Sequence, residues 1–275
     1  MLLAAAQVIL LGTGTPNAEP DRSGPSVAIV ANGTPYLVDF GPGVVRRAVA
    51  AKIKPPDLKI AFVTHLHSDH TAGLPDLILT PWTLERTLPL ELYGPTGLKS
   101  MADHIEQAYA EDIKIRLTGG EPSNKAGYKV NVHEITPGVV YQDANVKVTA
   151  VRVPHGEETE AYAYRFDTSD GRSIVISGDT GPSDAVADLC RGCDVLVHEV
   201  YSTSGFARRP PEWQRYHARY HTSSAQLAGI ATKANPKLLV LTHLLSWGTS
   251  DEDLLAEVTR LYKGRVVCAH DLDVY

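Results

Sequence analysis

The chain has 275 residues, of which 43% are hydrophobic and 21% charged, and its formal net charge is −6 at pH 7. A chain of this length can bury a large core, so it needs neither a disulfide nor a metal ion merely to fold. The acidic balance gives no basic footprint for a polyanion; tight nucleic-acid binding would need a local basic patch, and we find none in the sequence.

Short runs of β-branched and aliphatic residues recur along the chain, and each has the length of a strand. The predicted strands span 8–11, 27–30, 36–40, 59–63, 130–135, 146–153, 174–177, 195–198, 238–242 and 266–269. Segments with helical periodicity separate many of them, at 43–52, 97–110, 183–190, 223–234 and 250–262. No low-complexity linker interrupts the alternation, which predicts one mixed α/β domain over residues 1–275.

The stretch 201–221 is rich in Arg, Tyr, Pro and Trp, and we interpret it as a long irregular loop at the rim of a site. The cysteines, at 190, 193 and 268, are too few for a disulfide framework, so we expect free thiols with a structural role for the first two. No apolar run approaches the roughly 20 residues of a membrane span. The start M-L-L-A-A-A is no complete signal peptide, which predicts a cytoplasmic protein, or an exported one if this start is a trimmed signal remnant.

The segment T-H-L-H-S-D-H holds three histidines and an aspartate directly after a predicted strand. His65 and His67 leave the strand end two residues apart, so their side chains point to the same side and suit one metal ion. Asp69 and His70 follow where the chain turns, and they suit a second ion. Imidazole and carboxylate groups are the usual zinc ligands, and an open coordination position can hold a water that becomes hydroxide near neutral pH.

Four ligands do not satisfy two metal ions, and three more candidates follow other apolar strands: His155, Asp179 and His243. His270 also follows a strand and competes with His243 for the second ion, although the T-H pattern favours His243. The remaining histidines that we considered are interpreted as structural or surface residues: His104, His133, His198 and His217.

Together with V-P-H-G, S-G-D-T and L-T-H, the motif H-L-H-S-D-H resembles the metallo-β-lactamase superfamily over nearly the whole chain. The resemblance implies an αββα sandwich with a dinuclear metal site between the edges of two sheets, and a hydroxide held between the ions as the nucleophile. It assigns His65, His67 and His155 to the first zinc, Asp69, His70 and His243 to the second, and Asp179 to both.

Asp39, in V-D-F-G, matches the family's aspartate after an early strand. The resemblance implies that it orients a ligand histidine or the loop without binding metal itself. The alternative interpretation is a cap at the strand end.

The segments L-G-T-G-T-P and V-D-F-G-P-G resemble the ribonuclease Z branch, whose members cleave the 3′ side of precursor transfer RNA. H-E-V and H-T-S resemble two further segments of that branch. They imply that Glu199 orients His221, which protonates the leaving oxygen. With Asp69, these are the candidate catalytic residues; the alternative for His221 is a residue of a helix N-cap region.

Two departures weaken the transfer-RNA assignment. The branch's flexible RNA-gripping arm does not fit between His155 and Asp179, and the R-Y that follows the last histidine motif is missing, since this chain has T-H-L-L-S-W-G. The leading hypothesis is therefore a dinuclear zinc hydrolase, phosphodiesterase-like and ribonuclease Z-like, that acts on a small molecule or short phosphodiester, with transfer RNA possible but not favoured.

Alternatives stay open. A small-molecule esterase, lactonase or arylsulfatase-like hydrolase could use the same site, and so could an iron-binding redox protein of another class. Iron or manganese also suits these ligands, and the resemblance is compatible with a homodimer. We expect several aromatic residues either to line a pocket for a flat or apolar molecule or to belong to the core: Trp82, Tyr201, Phe206, Trp213 and Trp247.

Overall fold

The computed structural model describes residues 5–275, so the first four residues, on which the signal-remnant interpretation depends, lie outside the described part. The first half of the chain forms a six-stranded sheet whose strands are neighbours in chain order. Its first three strands pair antiparallel and the others parallel. The strands are β1 (Gln7–Gly12), β2 (Ser26–Ala31), β3 (Thr34–Val38), β4 (Ile60–Phe62), β5 (Leu90–Gly94) and β6 (Val130–Glu134).

The second half forms a seven-stranded sheet in the order β13-β12-β11-β10-β9-β8-β7. The strands β10 to β13 run parallel, while β7 to β10 pair antiparallel. The strands are β7 (Gly138–Gln142), β8 (Val146–His155), β9 (Glu158–Thr168), β10 (Ser173–Ile176), β11 (Val195–Tyr201), β12 (Leu238–Leu245) and β13 (Val266–Cys268).

Helices connect these strands and cover the outer faces of both sheets. In chain order they are α1 (Val44–Ala50), α2 (Ser68–Thr71), α3 (Leu74–Thr83), α4 (Leu98–Ala108), α5 (Ala110–Thr118), α6 (Asp184–Cys190), α7 (Thr203–Ala207), α8 (Pro211–Tyr220), α9 (Ser224–Ala234) and α10 (Asp251–Leu261). Among residues 5–275, no helix combines the length and the apolar character that a membrane crossing requires.

The inner faces of the two sheets share one hydrophobic core. The ring of Phe62, on β4, lies 5.0 Å from the Tyr93 ring and meets the Phe166 ring of the second sheet edge-on at 5.5 Å. Such aromatic pairs contribute about 0.5–1.5 kcal/mol each beyond the area that they bury. Helices α1, α3 and α4 pack on the outer face of the first sheet, and α6, α9 and α10 on that of the second. The predicted αββα architecture is confirmed.

Two expectations from the sequence are wrong. The stretch 201–221 is not an irregular loop, because α7 and α8 occupy most of it; Pro211 stands in the first turn of α8, where its missing N–H breaks no helical hydrogen bond. Cys190 and Cys193 are not free thiols but form a disulfide. Arg191 and Gly192 adopt positive φ angles of 37° and 79°, and the turn leaves the two cysteine Cα atoms 4.8 Å apart, within bridging distance.

Candidate metal centre

The predicted ligands converge between the two sheets, beside the ends of four strands. His65 and His67 follow β4, and the single turn of α2 carries Asp69 and His70. From the second sheet come the residues at or just beyond the ends of β8 and β10 and within β12: His155, Asp179 and His243. The fold therefore brings together seven potential ligands that the sequence spreads over almost 180 positions.

The first group consists of three imidazole rings that meet at one point. Nδ1 of His67 lies 3.0 Å from Nε2 of His65 and 3.1 Å from Nε2 of His155. Burial lowers the pKa of His65 well below its usual value and the pKa of His155 to about 4, so these rings are neutral at pH 7. Neutral imidazole is the form that binds a metal ion, so the donor set fits one cation.

The second group combines carboxylates with imidazoles. Oδ2 of Asp69 lies 3.2 Å from Nε2 of His243 and 3.5 Å from Nε2 of His70, whereas Oδ1 of Asp179 lies 3.4 Å from the same His70 atom. Within residues 5–275, His70 Nε2 and Asp179 Oδ1 are buried without any hydrogen-bond partner. Buried polar atoms are normally paired, so these two atoms fit a bound ion better than an empty site.

Asp179 reaches both groups. Its Oδ2 lies 4.0 Å from Nε2 of His65 and 3.4 Å from Nε2 of His243. Burial alone would raise the pKa of Asp179, but the charges of His243 and His70 hold it well below its usual value. The side chain is therefore a carboxylate whose Oδ2 faces both groups, while its Oδ1 faces His70 of the second group.

Asp39 lies behind the histidine loop and contacts both Thr64 and His70. Its Oδ1 accepts a hydrogen bond from the backbone N–H of Thr64 (2.8 Å), and its Oδ2 lies 2.8 Å from Nδ1 of His70. The Thr64 hydroxyl donates to the same Oδ2 (3.0 Å) and lies 3.0 Å from Nδ1 of His65. Such contacts set the ring orientation and tautomer of a ligand histidine.

Two further partners of the histidines were not predicted from the sequence. Nε2 of His67 lies 3.2 Å from Oε1 of Glu158, and Nδ1 of His155 lies 2.8 Å from the backbone oxygen of Tyr220. Glu158 follows His155 by three residues in H-G-E-E, and this proximity was the only signal in the sequence. A backbone carbonyl leaves no signal at all.

The backbone is strained at two positions of the site. Asp39 has a φ of 62° and His243 a φ of 45°, values that cost roughly 1–3 kcal/mol for residues other than glycine. The pairing of β11 with β12 skips His243: Glu199 pairs with Thr242, and the next residue, Val200, pairs with Leu244. This bulge turns the His243 side chain toward the other ligands.

The Glu199 and His221 side chains meet beside Asp179. Nδ1 of His221 lies 3.4 Å from Oε2 of Glu199 and 3.8 Å from Oδ2 of Asp179, while Oε1 of Glu199 accepts the N–H of Thr222 at 2.7 Å. Burial, with a contribution from Asp179, raises the pKa of Glu199 to about 8, and burial lowers the pKa of His221 to about 4. At neutral pH the Glu199 carboxyl therefore keeps its proton, while the His221 ring is uncharged.

Two candidates lie elsewhere. His270 is exposed and pairs with Asp251 (3.2 Å), so it is not part of the cluster. Trp82 packs 5.0 Å from the Tyr128 ring in a small buried group outside the site.

Three other aromatic residues stack together beside the site: Tyr201, Phe206 and Trp247. His217, which the sequence analysis interpreted as structural or surface, is buried between the Trp247 ring (4.5 Å) and the His221 ring (5.7 Å). Its side chain therefore supports the position of His221.

Two open clefts flank the cluster. One, of about 370 Å³, is bordered by Thr15, Arg22, Ser68 and Asp69. The other, of about 500 Å³, is bordered by Leu66, Thr96 and the acidic segment 157–160. A substrate can therefore approach the ligands from either side of the histidine loop.

Comparisons with known proteins agree on the family. Residues 34–244 match the model of the β-lactamase superfamily domain. The ribonuclease Z of Mycobacterium bovis (strain BCG / Pasteur 1173P2) is 32% identical over 271 residues, which covers 97% of this chain and 96% of that protein. The crystal structure of human tRNase Z, short form, matches with a TM-score of 0.74 and 24% identity over 98% of both chains. The metallo-β-lactamase fold protein YhfI from Bacillus subtilis matches with a TM-score of 0.77 and 18% identity over 98% of both chains. At these identities the two structures show the fold alone.

Proposed function

The chain belongs to the β-lactamase superfamily as a ribonuclease Z-like hydrolase, and from this premise we propose that it hydrolyses phosphodiesters with the help of two zinc ions. One observation carries the proposal: the Asp179 carboxylate lies 3.4–4.0 Å from ring nitrogens of His65, His70 and His243. A carboxylate that faces two separate ligand groups is the arrangement that a dinuclear site requires. When bound, such a pair of ions activates a water molecule and neutralises charge on the group under attack.

The proposed ligands follow from the two groups. His65, His67 and His155 would hold one ion, and Asp69, His70, Asp179 and His243 would hold the other. Asp179 would also serve the first ion, because its Oδ2 reaches His65. Asp39 and Glu158 orient His70 and His67. Asp69 also borders the smaller of the two clefts, that of about 370 Å³, so its carboxylate faces an incoming substrate as well as the ligands.

Glu199 and His221 supply the proton that the reaction needs. The alkoxide that leaves a phosphodiester is a poor leaving group at neutral pH unless it is protonated as the bond breaks. His221 lies beside Asp179, and its Nδ1 is 3.4 Å from Glu199, where it can receive a proton and pass it on. In this proposal Glu199 holds and orients His221, and His221 protonates the leaving oxygen.

The test is a substrate panel with matched variants. The purified protein is assayed on bis(p-nitrophenyl) phosphate, a lactone, an aryl ester and an aryl sulfate, and its metals are identified by elemental analysis. We expect zinc and phosphodiester hydrolysis, lost in Asp179→Asn and kept in Asp103→Asn, whose side chain is exposed on α4. Consumption of the lactone, ester or sulfate with an intact phosphodiester would contradict the proposal. Iron without any hydrolysis would favour a redox protein.

We also propose that residues 1–275 fold as one domain, because side chains from both halves of the chain share the core between the sheets. A single cooperative unfolding transition, seen alike by fluorescence and circular dichroism, would support this organisation. Two separate transitions would contradict it.

A further inference from the structure

Helix α8 lies on the surface although it carries several aromatic side chains. Within Pro211–Tyr220 only His217 is buried. Trp213 is 46% exposed and Tyr216 is 37% exposed. These rings occupy positions i and i+3 of the helix, with Tyr220 at i+7, so all three lie on one face. Exposed aromatic residues that form a contiguous surface commonly mark a binding site.

This aromatic face begins at the metal centre. The Tyr220 ring lies 5.0 Å from the His155 ring and 6.4 Å from the His67 ring. It packs tightly on Gly156, where an added Cβ would lie 2.0 Å from the ring. The Tyr216 ring stacks on the Tyr220 ring at 4.3 Å, and the Trp213 ring meets the Tyr216 ring edge-on at 5.8 Å. The rings therefore run continuously from the proposed ligands to solvent.

The same segment is positively charged on an otherwise acidic chain. From Arg208 to Tyr220 the sequence holds four arginines and one acidic residue. Within residues 5–275 only Arg219 of the four forms an ion pair, with Glu157 at 2.6 Å. Arg209 lies over the Trp213 ring at 5.3 Å, and Arg215 is exposed on the helix. Segment 208–220, of which α8 contributes two of the four arginines, is thus a local basic patch that we did not expect from the sequence.

Aromatic faces interleaved with guanidinium groups are how proteins hold single-stranded nucleic acid, because every base can stack and every phosphate can pair. We propose that the α8 surface, formed by Trp213, Tyr216 and Tyr220 with Arg209 over the Trp213 ring, binds unpaired ribonucleotides adjoining the phosphodiester that is cleaved. This inference rests on the proposed function. A lipid surface fits less well, because α8 contains no Leu, Ile, Val or Phe to insert between acyl chains. A duplex offers no free base faces to stack on.

The test measures RNA binding and hydrolysis separately. Binding of a fluorescein-labelled, unstructured twelve-nucleotide RNA is followed by anisotropy, in the Asp179→Asn background so that the strand stays intact. We expect Tyr216→Ala and Trp213→Ala each to weaken binding about 10- to 100-fold, and Tyr216→Phe to restore it, because stacking needs the ring and not the hydroxyl. Arg209→Ala should lower the slope of log Kd against log salt by about 0.7.

Matched controls come from exposed residues elsewhere on the surface, Tyr109 between α4 and α5 and Arg260 on α10. Tyr109→Ala and Arg260→Ala should bind the strand like the parent protein. A duplex of equal length should bind more weakly and without dependence on Tyr216. Vesicles of phosphatidylcholine and phosphatidylserine test the lipid alternative by co-sedimentation.

Each outcome bears on one claim. If the enzyme with Asp179 hydrolyses bis(p-nitrophenyl) phosphate but the α8 variants bind RNA like their parent, the α8 inference is wrong and the proposed function stands. Weakened RNA binding without phosphodiester hydrolysis would overturn the proposed function and leave α8 as an RNA-binding surface. Binding to vesicles that requires Trp213, without RNA binding, would overturn the inference.

Discussion

Oε1 of Glu158 lies 3.2 Å from Nε2 of His67, while the Nδ1 atom of the same ring faces His65 and His155. The glutamate thus contacts the one ring nitrogen of His67 that points away from the proposed ligand group. A carboxylate in this position fixes the tautomer and raises the basicity of a ligand imidazole.

We therefore predict that Glu158→Ala lowers the affinity for the metal ion of the His65, His67 and His155 group by about 10- to 100-fold. Glu158→Gln, which keeps an acceptor oxygen, should lose less. Competition with a chromophoric chelator measures the affinity, with Glu111→Ala, at an exposed position of α5, as the control. Unchanged affinity in Glu158→Ala would show that the contact does not support the metal site.

The role of His221 predicts a dependence on the leaving group. His221→Ala should slow hydrolysis of a dinucleoside phosphate by about 10²- to 10⁴-fold, because the alkoxide that leaves this substrate must be protonated. A p-nitrophenyl phosphodiester needs no such proton and should lose far less. Kcat for both substrates is measured side by side, with Glu199→Gln expected between the parent enzyme and His221→Ala. Equal losses on both substrates would mean that His221 does not protonate the leaving oxygen.

We predict that Arg86, which lies away from the site, contributes strongly to the stability of the fold. Its guanidinium is fully buried, and its five hydrogen bonds all go to backbone oxygens, those of Leu58, Leu77, Ile78 and Gly127. Arg86→Met would leave these oxygens unpaired, so we expect the free energy of unfolding to fall by about 3 kcal/mol or more. Urea denaturation measures it. Arg46→Met, whose side chain is 85% exposed, is the control and should change stability by less than about 0.5 kcal/mol.

The Cys190–Cys193 disulfide sets the number of thiols that we expect to react before and after reduction. Denatured, unreduced protein should show one reactive thiol, that of Cys268, and reduction should release the thiols of Cys190 and Cys193 as well. Titration with a thiol-specific reagent measures both states. All cysteines reacting before reduction would restore the expectation drawn from the sequence.

Much of the site could be predicted from the sequence because its side chains follow apolar strands. A buried strand is visible as a hydrophobic run, and a polar residue at its end stands out, as with His155 at the end of β8 and Asp179 after β10. Strands with alternating or polar residues were missed, as with β9, where Glu and Thr precede the aromatic positions. The hydrophobic pattern was therefore sufficient to predict a mixed α/β domain but did not reveal every strand, and the αββα architecture was implied only by the family resemblance.

The rest depends on contacts that only the folded chain creates. Tyr220 supports His155 through a backbone oxygen, which has no sequence signature. Cys190 and Cys193 meet because Arg191 adopts a left-handed conformation, which is rare for a residue other than glycine. The segment before His221 resembled a loop because of its prolines, although Pro211 begins a helix.

The most direct test of the dinuclear site is the number of metal ions per chain, measured by titration into metal-free protein while phosphodiester hydrolysis is followed in the same samples. We expect two ions for the parent protein and for Asp103→Asn, with hydrolysis complete only when both are bound. We also expect loss of tight binding and of hydrolysis in Asp179→Asn, because this carboxylate lies between the two groups. Full hydrolysis with one ion or none, or an Asp179→Asn variant that keeps both ions and its activity, would contradict the dinuclear site.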